Sequence, residues 1–214
     1  MLSFDAAKTH VAFSKLHSDG ALILFGRTRP KLYRLLDPRS LCLAWSGAVG
    51  GGEFAQEEYR QLVFDVLRAV RQRMRLVSFC VYGSVARGEA KPTSDLDILL
   101  ISDDLRGSIA SRLDLLSFVD IETFDEVRFL RGNGRSTAVS LIPLTRKEAG
   151  ADPALFLDLA VHAKILLDEG GFLNDILAKL RGRLALAGAK RIETANGWYW
   201  DLKPGFVPGQ EVVI

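Results

Sequence analysis

Cysteine and histidine are scarce in this chain: its 214 residues hold two cysteines and three histidines. Cys42 and Cys80 have neither the spacing of a zinc site nor the numbers of a disulfide framework. Cys80 falls inside an apolar run and reads as a small buried hydrophobe. His10, His17 and His162 are scattered with no partner at ligand spacing, so each reads as a surface or satisfied core residue. Long apolar runs are also missing, none approaching the ~20 residues that span a bilayer. The first residues, MLSFDAAKTH, lack the charged-then-apolar order of a signal peptide. Charge of one sign is lacking too: 28 basic residues stand against 26 acidic ones, a net of +2, too mild to imply nucleic-acid binding. Asn and Gln are few, which is compatible with a thermophilic source. The expectation is a soluble cytoplasmic protein with no membrane partner and no RNA partner demanded by charge.

What is present suits a packed globular chain. Hydrophobic residues make up 48% and charged residues 25%, enough for a real core, and the length fits one domain with an embellishment. Residues 1–19 read as a helix, 21–27 as a strand, 29–38 as a short helix between Pro30 and Pro38, and 41–45 as a strand. GAVGGG, residues 47–52, reads as a linker. No Lys-Ser/Thr follows its glycines, so it is not a phosphate loop. From Glu53 to Arg75 apolar residues recur at three and four, with Arg68, Arg71 and Arg75 on the opposite, solvated face. LVSFCVYG (76–83) is a continuous apolar run, the pattern of a strand covered on both faces. DLDILLIS (95–102) is the next strand, 108–119 a helix, and 136–144 a further strand; residues 120–127 carry no clear period. Asp152-Pro153 signals a helix start by its cap and first-turn proline, with the helix running to about 167. A second helix covers 172–188. Asn196-Gly197 reads as a two-residue hairpin turn in a β tail. The rings of Trp198, Tyr199 and Trp200 are expected to staple that tail rather than to stack bases.

This order implies a mixed α/β fold, a sheet with flanking helices. The expected units are an N-terminal extension (1–52), a core (53–150), and a C-terminal part (151–214) of helices and a short β tail.

The chemistry concentrates in VYGSVARGEAKPTSDLDILL, residues 81–100. Asp95 and Asp97 stand at i and i+2 in a strand, so both side chains project from one face, roughly 7 Å apart. Leu96, Ile98 and Leu100 take the other, buried face. Two such carboxylates repel one another, and a divalent cation relieves the repulsion; hard oxygen donors suit Mg²⁺ or Mn²⁺. Gly83 and Ser84 end one strand and open a short helix. The glycine allows close backbone approach, the helix start and the serine hydroxyl offer an anion corner, and Arg87, one turn on, adds a cation. A phosphate corner beside a metal site describes a protein that handles a metal–nucleoside triphosphate.

Gly-Ser closing one apolar strand, then ten residues, then Asp-x-Asp opening the next, resembles the polymerase-beta-like nucleotidyltransferase superfamily, its minimal nucleotidyltransferases above all. The resemblance is strongest over 76–102 and extends to about 188. It implies a palm-like fold and transfer of a nucleoside monophosphate from an Mg²⁺–NTP to an acceptor hydroxyl or phosphate. It assigns metal binding and catalysis to Asp95 and Asp97, and nucleotide binding to Gly83, Ser84 and Arg87. It further implies a small helical protein as a partner, as antitoxin to toxin, and the helices of 152–188 offer a docking surface. The superfamily carries a third acidic residue on the following strand, as metal ligand and general base. Here the matching position falls on Ser140, a poor ligand and no base. Asp120, Glu122, Asp125, Glu126 and Asp201 are the candidate substitutes. Without a substitute, the expectation is a catalytically weak nucleotide-binding or antitoxin-like module.

Overall fold

A computed structural model describes residues 5–25, 31–50, 54–151, 154–194 and 197–205. The chain opens with helix α1 (Ala6–Ser18), capped by the Asp5 carboxylate. Strands β1 (Leu22–Phe25) and β2 (Leu32–Leu35) pair antiparallel, and helix α2 (Pro38–Trp45) follows. The expectations over this stretch were inverted: the part of 29–38 that is described holds a strand, and 41–45 is helical. Pro38 starts α2 rather than stopping a helix, because Asp37 accepts from the Arg39 and Ser40 amides ahead of a proline in the first turn, where its missing N–H is no loss. Of the linker-like glycines, 51–52 lie outside the described residues.

A 3₁₀ turn at Glu57–Tyr59 leads into α3 (Arg60–Arg71). Then come β3 (Leu76–Tyr82), the single-turn helix α4 (Gly83–Arg87) and β4 (Leu96–Ser102). Three short helices follow, α5 (Ile109–Leu115), α6 (Phe118–Glu122) and α7 (Phe124–Gly132), the last two over the stretch without clear periodicity. Strand β5 (Val139–Leu144) is followed by α8 (Arg146–Ala149) and α9 (Phe156–His162). The Asp152-Pro153 start signal lies outside the described residues.

The helix expected to reach 167 ends at His162. Residues Lys164–Asp168 form strand β6 instead. Helix α10 (Phe172–Leu186) and the antiparallel pair β7 (Lys190–Thr194) and β8 (Gly197–Asp201) complete the chain. Thr194 pairs with Gly197, so Gly197 begins a strand rather than ending the expected turn, and Asn196 lies outside the described residues.

The central sheet has the order β5-β4-β3-β6. β3 pairs antiparallel with β4 and β6, and β4 pairs parallel with β5. Every residue of β3 is buried, as its unbroken apolar run requires. One face of the sheet packs on α3, α6 and α7 through Leu62, Val66, Leu96, Ile98, Leu100, Val119 and Leu130, a cluster that Ile23, Phe25 and Leu36 of the N-terminal extension join. The other face packs on α9 and α10 through Cys80, Leu99, Ile101, Phe156, Leu173 and Leu177. Alternation along β4 then puts Asp97 on the α9 side, in line with Leu99 and Ile101.

Candidate active site

The end of β3 and the start of β4 lie side by side, with Tyr82 opposite Asp97. Gly83 follows at φ +70°, in the left-handed region that costs a side-chain-bearing residue of order 1–3 kcal/mol. A Cβ on Gly83 would lie 2.2 Å from Asp97 Oδ2 and 3.1 Å from its Cγ. The glycine of Gly-Ser thus makes room for a carboxylate of the next strand, a closer constraint than the ligand approach expected of it. Ser84 and Arg87 sit on the same turn, which Gly88 closes at φ +76°.

Asp95 precedes β4 and is exposed; its Oδ1 accepts from the Ala138 amide at 3.3 Å. Asp97 is half-buried. Burial first, and then the Asp95 charge, push its carboxyl above the usual aspartate range, while hydrogen bonding from Ser140 and the charge of Arg87 oppose the shift. The parallel ladder sets Ser140 directly beside Asp97. The position where the superfamily resemblance expects an acid is therefore in place, and a hydroxyl occupies it.

None of the expected substitutes completes the site. Glu126 is buried and pairs with Arg34 at 2.7 Å, and Glu122 pairs with Arg73 at 2.7 Å. Their helices, α6 and α7, pack on α3, across the sheet from Asp97; Asp120 and Asp125 ride on the same helices. Asp201 lies opposite Lys190 in the tail ladder. Among the described residues no three His, Cys, Asp or Glu side chains cluster closely enough to hold a metal by themselves.

A different carboxylate does reach this face. Asp158 on α9 bears on both Asp97 and Tyr82, raising the pKa of each. Its Oδ2 lies 3.4 Å from Arg87 Nη1. Sequence spacing held no signal for it, since 71 residues separate the partners and only the packing of α9 against α4 joins them. One turn along α9, His162 Nε2 lies 3.0 Å from Arg191 Nη1. Arginine has only donors, so this ring nitrogen accepts, and burial together with the Arg191 charge lowers the His162 pKa. Arg191 in turn lies over the Trp198 ring at 4.7 Å. Trp200 packs into the α9–α10 cluster, as a stapling ring should, while Tyr199 is exposed.

The arginine face of α3 is largely spent on intramolecular pairs: Arg68 with Asp65 and Asp37, and Arg75, beyond the helix end, with Glu169.

Two carboxylates suit Mg²⁺ delivered with a nucleotide, because that ion is commonly held by one or two carboxylates and the substrate's phosphates rather than by an all-protein cage. The Gly83 cradle, which leaves room for Asp97 Oδ2 beside the Gly83–Ser84 turn, agrees with this.

The nucleotidyltransferase-domain family matches residues 65–155, a span that holds β3, α4, β4 and β5. Among solved structures, a toxin–antitoxin with AMP-PNP aligns at 15% identity and a TM-score of 0.37, covering 59% of this chain and 92% of that one. The toxin–antitoxin MntA-HepT aligns at 14% identity and a TM-score of 0.34, covering 59% and 91%. No curated protein matches the chain significantly.

Proposed function

We propose that this chain, which carries a nucleotidyltransferase domain over residues 65–155, moves a nucleoside monophosphate from a divalent-metal–NTP to an acceptor hydroxyl or phosphate. Asp95 and Asp97 would hold the metal, Mg²⁺ or Mn²⁺; Gly83, Ser84 and Arg87 would hold the triphosphate. The observation that carries the reading is the seat of the Asp97 carboxylate, 2.2 Å from where a Gly83 Cβ would stand. The two halves of the motif are one object, and a glycine is required at the join.

In this reading the metal would neutralise phosphate charge and polarise the α-phosphorus for attack. The protein's own work is placement. The Gly83–Ser84 backbone and the Ser84 hydroxyl seat phosphate oxygens. Asp97, half-buried and pressed by Asp95, carries a charge that is costly until a cation arrives. The wall of Leu99, Ile101 and Tyr82 behind it keeps that charge in a region of low dielectric, where each electrostatic contact is stronger. Pyrophosphate leaves as the acceptor oxygen attacks the α-phosphorus, and the proton of the acceptor hydroxyl passes to solvent, since Ser140 is no base.

Ser140 favours a second reading, a module that binds the metal–nucleotide and turns it over slowly. Calorimetry with Mg²⁺ and a non-hydrolysable NTP, on the full chain and on Asp97→Asn, tests binding. Labelled NTP offered with cell extract then tests transfer. Binding lost in Asp97→Asn with label passed to an acceptor supports the transferase; binding without any transfer supports the module. No binding by the full chain overturns both.

A further inference from the structure

Arg87 is held from two sides. Its Nε donates to Glu89 Oε2 at 2.9 Å, and Nη1 faces Asp158 Oδ1 and Oδ2 at 3.5 and 3.4 Å. The two carboxylates differ in setting: the Glu89 side chain is 68% exposed, that of Asp158 16%, close to the 17% of Arg87 itself. An exposed pair contributes little, whereas a part-buried one constrains geometry. Nη2 makes no hydrogen bond to a described residue. The guanidinium is a rigid planar fork, so fixing Nε and Nη1 also fixes the direction in which the Nη2 edge points. Asp158 shares the face of Asp97 and Tyr82, and its charge is felt by both.

We propose that Asp158 is a positioning residue for the nucleotide: from α9 it aims Arg87 so that the free edge of the guanidinium meets the triphosphate at the Gly83–Ser84 corner. The proposal rests on the reading of that corner as a nucleotide site. It makes the C-terminal helical part a component of nucleotide recognition rather than an appendage to the domain. An arginine that is not held spends side-chain entropy each time it binds. An arginine already held by α9 has lost that freedom before the ligand arrives.

Simple charge counting predicts the opposite sign, which makes the proposal easy to overturn. A triphosphate is strongly anionic, and deleting a nearby carboxylate should tighten its binding. Positioning predicts that the deletion weakens it. The measurement is calorimetric affinity of the full chain for a non-hydrolysable ATP analogue with Mg²⁺, with melting temperature followed alongside. Asp158→Asn is expected to bind about tenfold more weakly, the scale of one charge-assisted hydrogen bond. Asp158→Glu should restore most of the affinity, and Glu89→Gln, which keeps an oxygen acceptor for Nε in an exposed pair, should change it little. Arg87→Lys keeps the charge but loses the fork, so it should weaken binding to a similar degree. The double variant, Arg87→Lys with Asp158→Asn, should lose no more than the worse single one, because the two residues act as one unit. Unchanged or tighter binding in Asp158→Asn overturns the proposal. If that variant does not fold, wild-type affinity in Arg87→Lys overturns it equally. A wild-type chain that binds no analogue overturns both this proposal and the nucleotide site; a wild type that binds, loses binding in Asp97→Asn and keeps it in Asp158→Asn overturns this proposal alone.

Discussion

Gly83 and Asp97 occupy one space: a Cβ on the first would stand 2.2 Å from Oδ2 of the second. Gly83→Ala must therefore either push the carboxylate away or move the turn, and it also strains a backbone at φ +70°. The expected loss is about 1–3 kcal/mol of stability together with nearly all metal–nucleotide binding. Adding Asp97→Ala removes the clash but not the strain. Thermal melts of the two singles and the double should thus be non-additive, the double recovering part of the Gly83→Ala loss. Strict additivity would mean that the two residues do not compete for space.

The raised Asp97 pKa fixes the sign of two pH effects. A carboxyl whose folded pKa exceeds its unfolded one stabilises the fold while protonated, and that contribution is lost as pH rises through the folded value. In metal-free protein at neutral pH, Asp97→Asn should then raise the melting temperature. Mg²⁺ or Mn²⁺ should raise that of the wild type and leave the variant's unchanged. Metal affinity should begin to fall on acidification at a higher pH than an ordinary aspartate would give. Asp95→Asn, by removing one cause of the shift, should move that onset to lower pH. Titrating melting temperature against pH at fixed metal concentration checks both.

Ser140 stands beside Asp97 across a parallel ladder, so Ser140→Asp places a third carboxylate beside the proposed metal site. Without metal it should destabilise the protein, because three like charges then share one face. With Mn²⁺ the sign should reverse, and affinity for the ion should rise by about tenfold, or ~1.4 kcal/mol. Isothermal titration with Mn²⁺ alone is the measurement. A variant no better than wild type would mean that the β5 position does not face the metal.

The parts of this site that could be read from sequence are those written in neighbouring residues. The i, i+2 spacing set Asp95 near Asp97, whose carboxyl feels its charge although Asp95 precedes β4, and the apolar runs of β3 and β4 marked buried strands. The resemblance pointed to Ser140, forty-three residues beyond Asp97, and the parallel ladder sets that residue beside Asp97. What could not be read depends on packing. Asp158 belongs to the site only because α9 lies against α4, and nothing in its neighbours Leu157 and Leu159 marks it. β6 was hidden because KILLD continues an apolar helix pattern, and a short apolar run fits either period. Helix α2 is legible in the sequence: Asp37 followed by Pro38 is the same cap-and-proline signal as Asp152-Pro153, and LCLAW continues the helix that it starts.

Away from the site, Arg112 offers a test of the frame behind β5. It is buried on α5 and grips Glu148 of α8 through two bonds of 2.6 and 2.9 Å, while also donating to the Pro143 and Gly107 carbonyls. Those contacts, with the Thr145 amide and hydroxyl, hold the Glu148 carboxyl down to about 2. A depressed acid contributes stability that is complete above its unfolded pKa of about 4.5 and is lost as pH falls toward the folded value. Glu148→Gln should consequently cost about 1 kcal/mol at pH 7: the buried guanidinium loses its counter-charge, but solvent screens the 41%-exposed Glu148 side chain and the carbonyl acceptors remain. The cost should shrink as pH falls from about 5 toward 2. Urea midpoints of the wild type and the variant, measured across that range, should converge at the acid end; a gap that stays constant with pH would show that the carboxylate charge plays no part in holding α8 to α5.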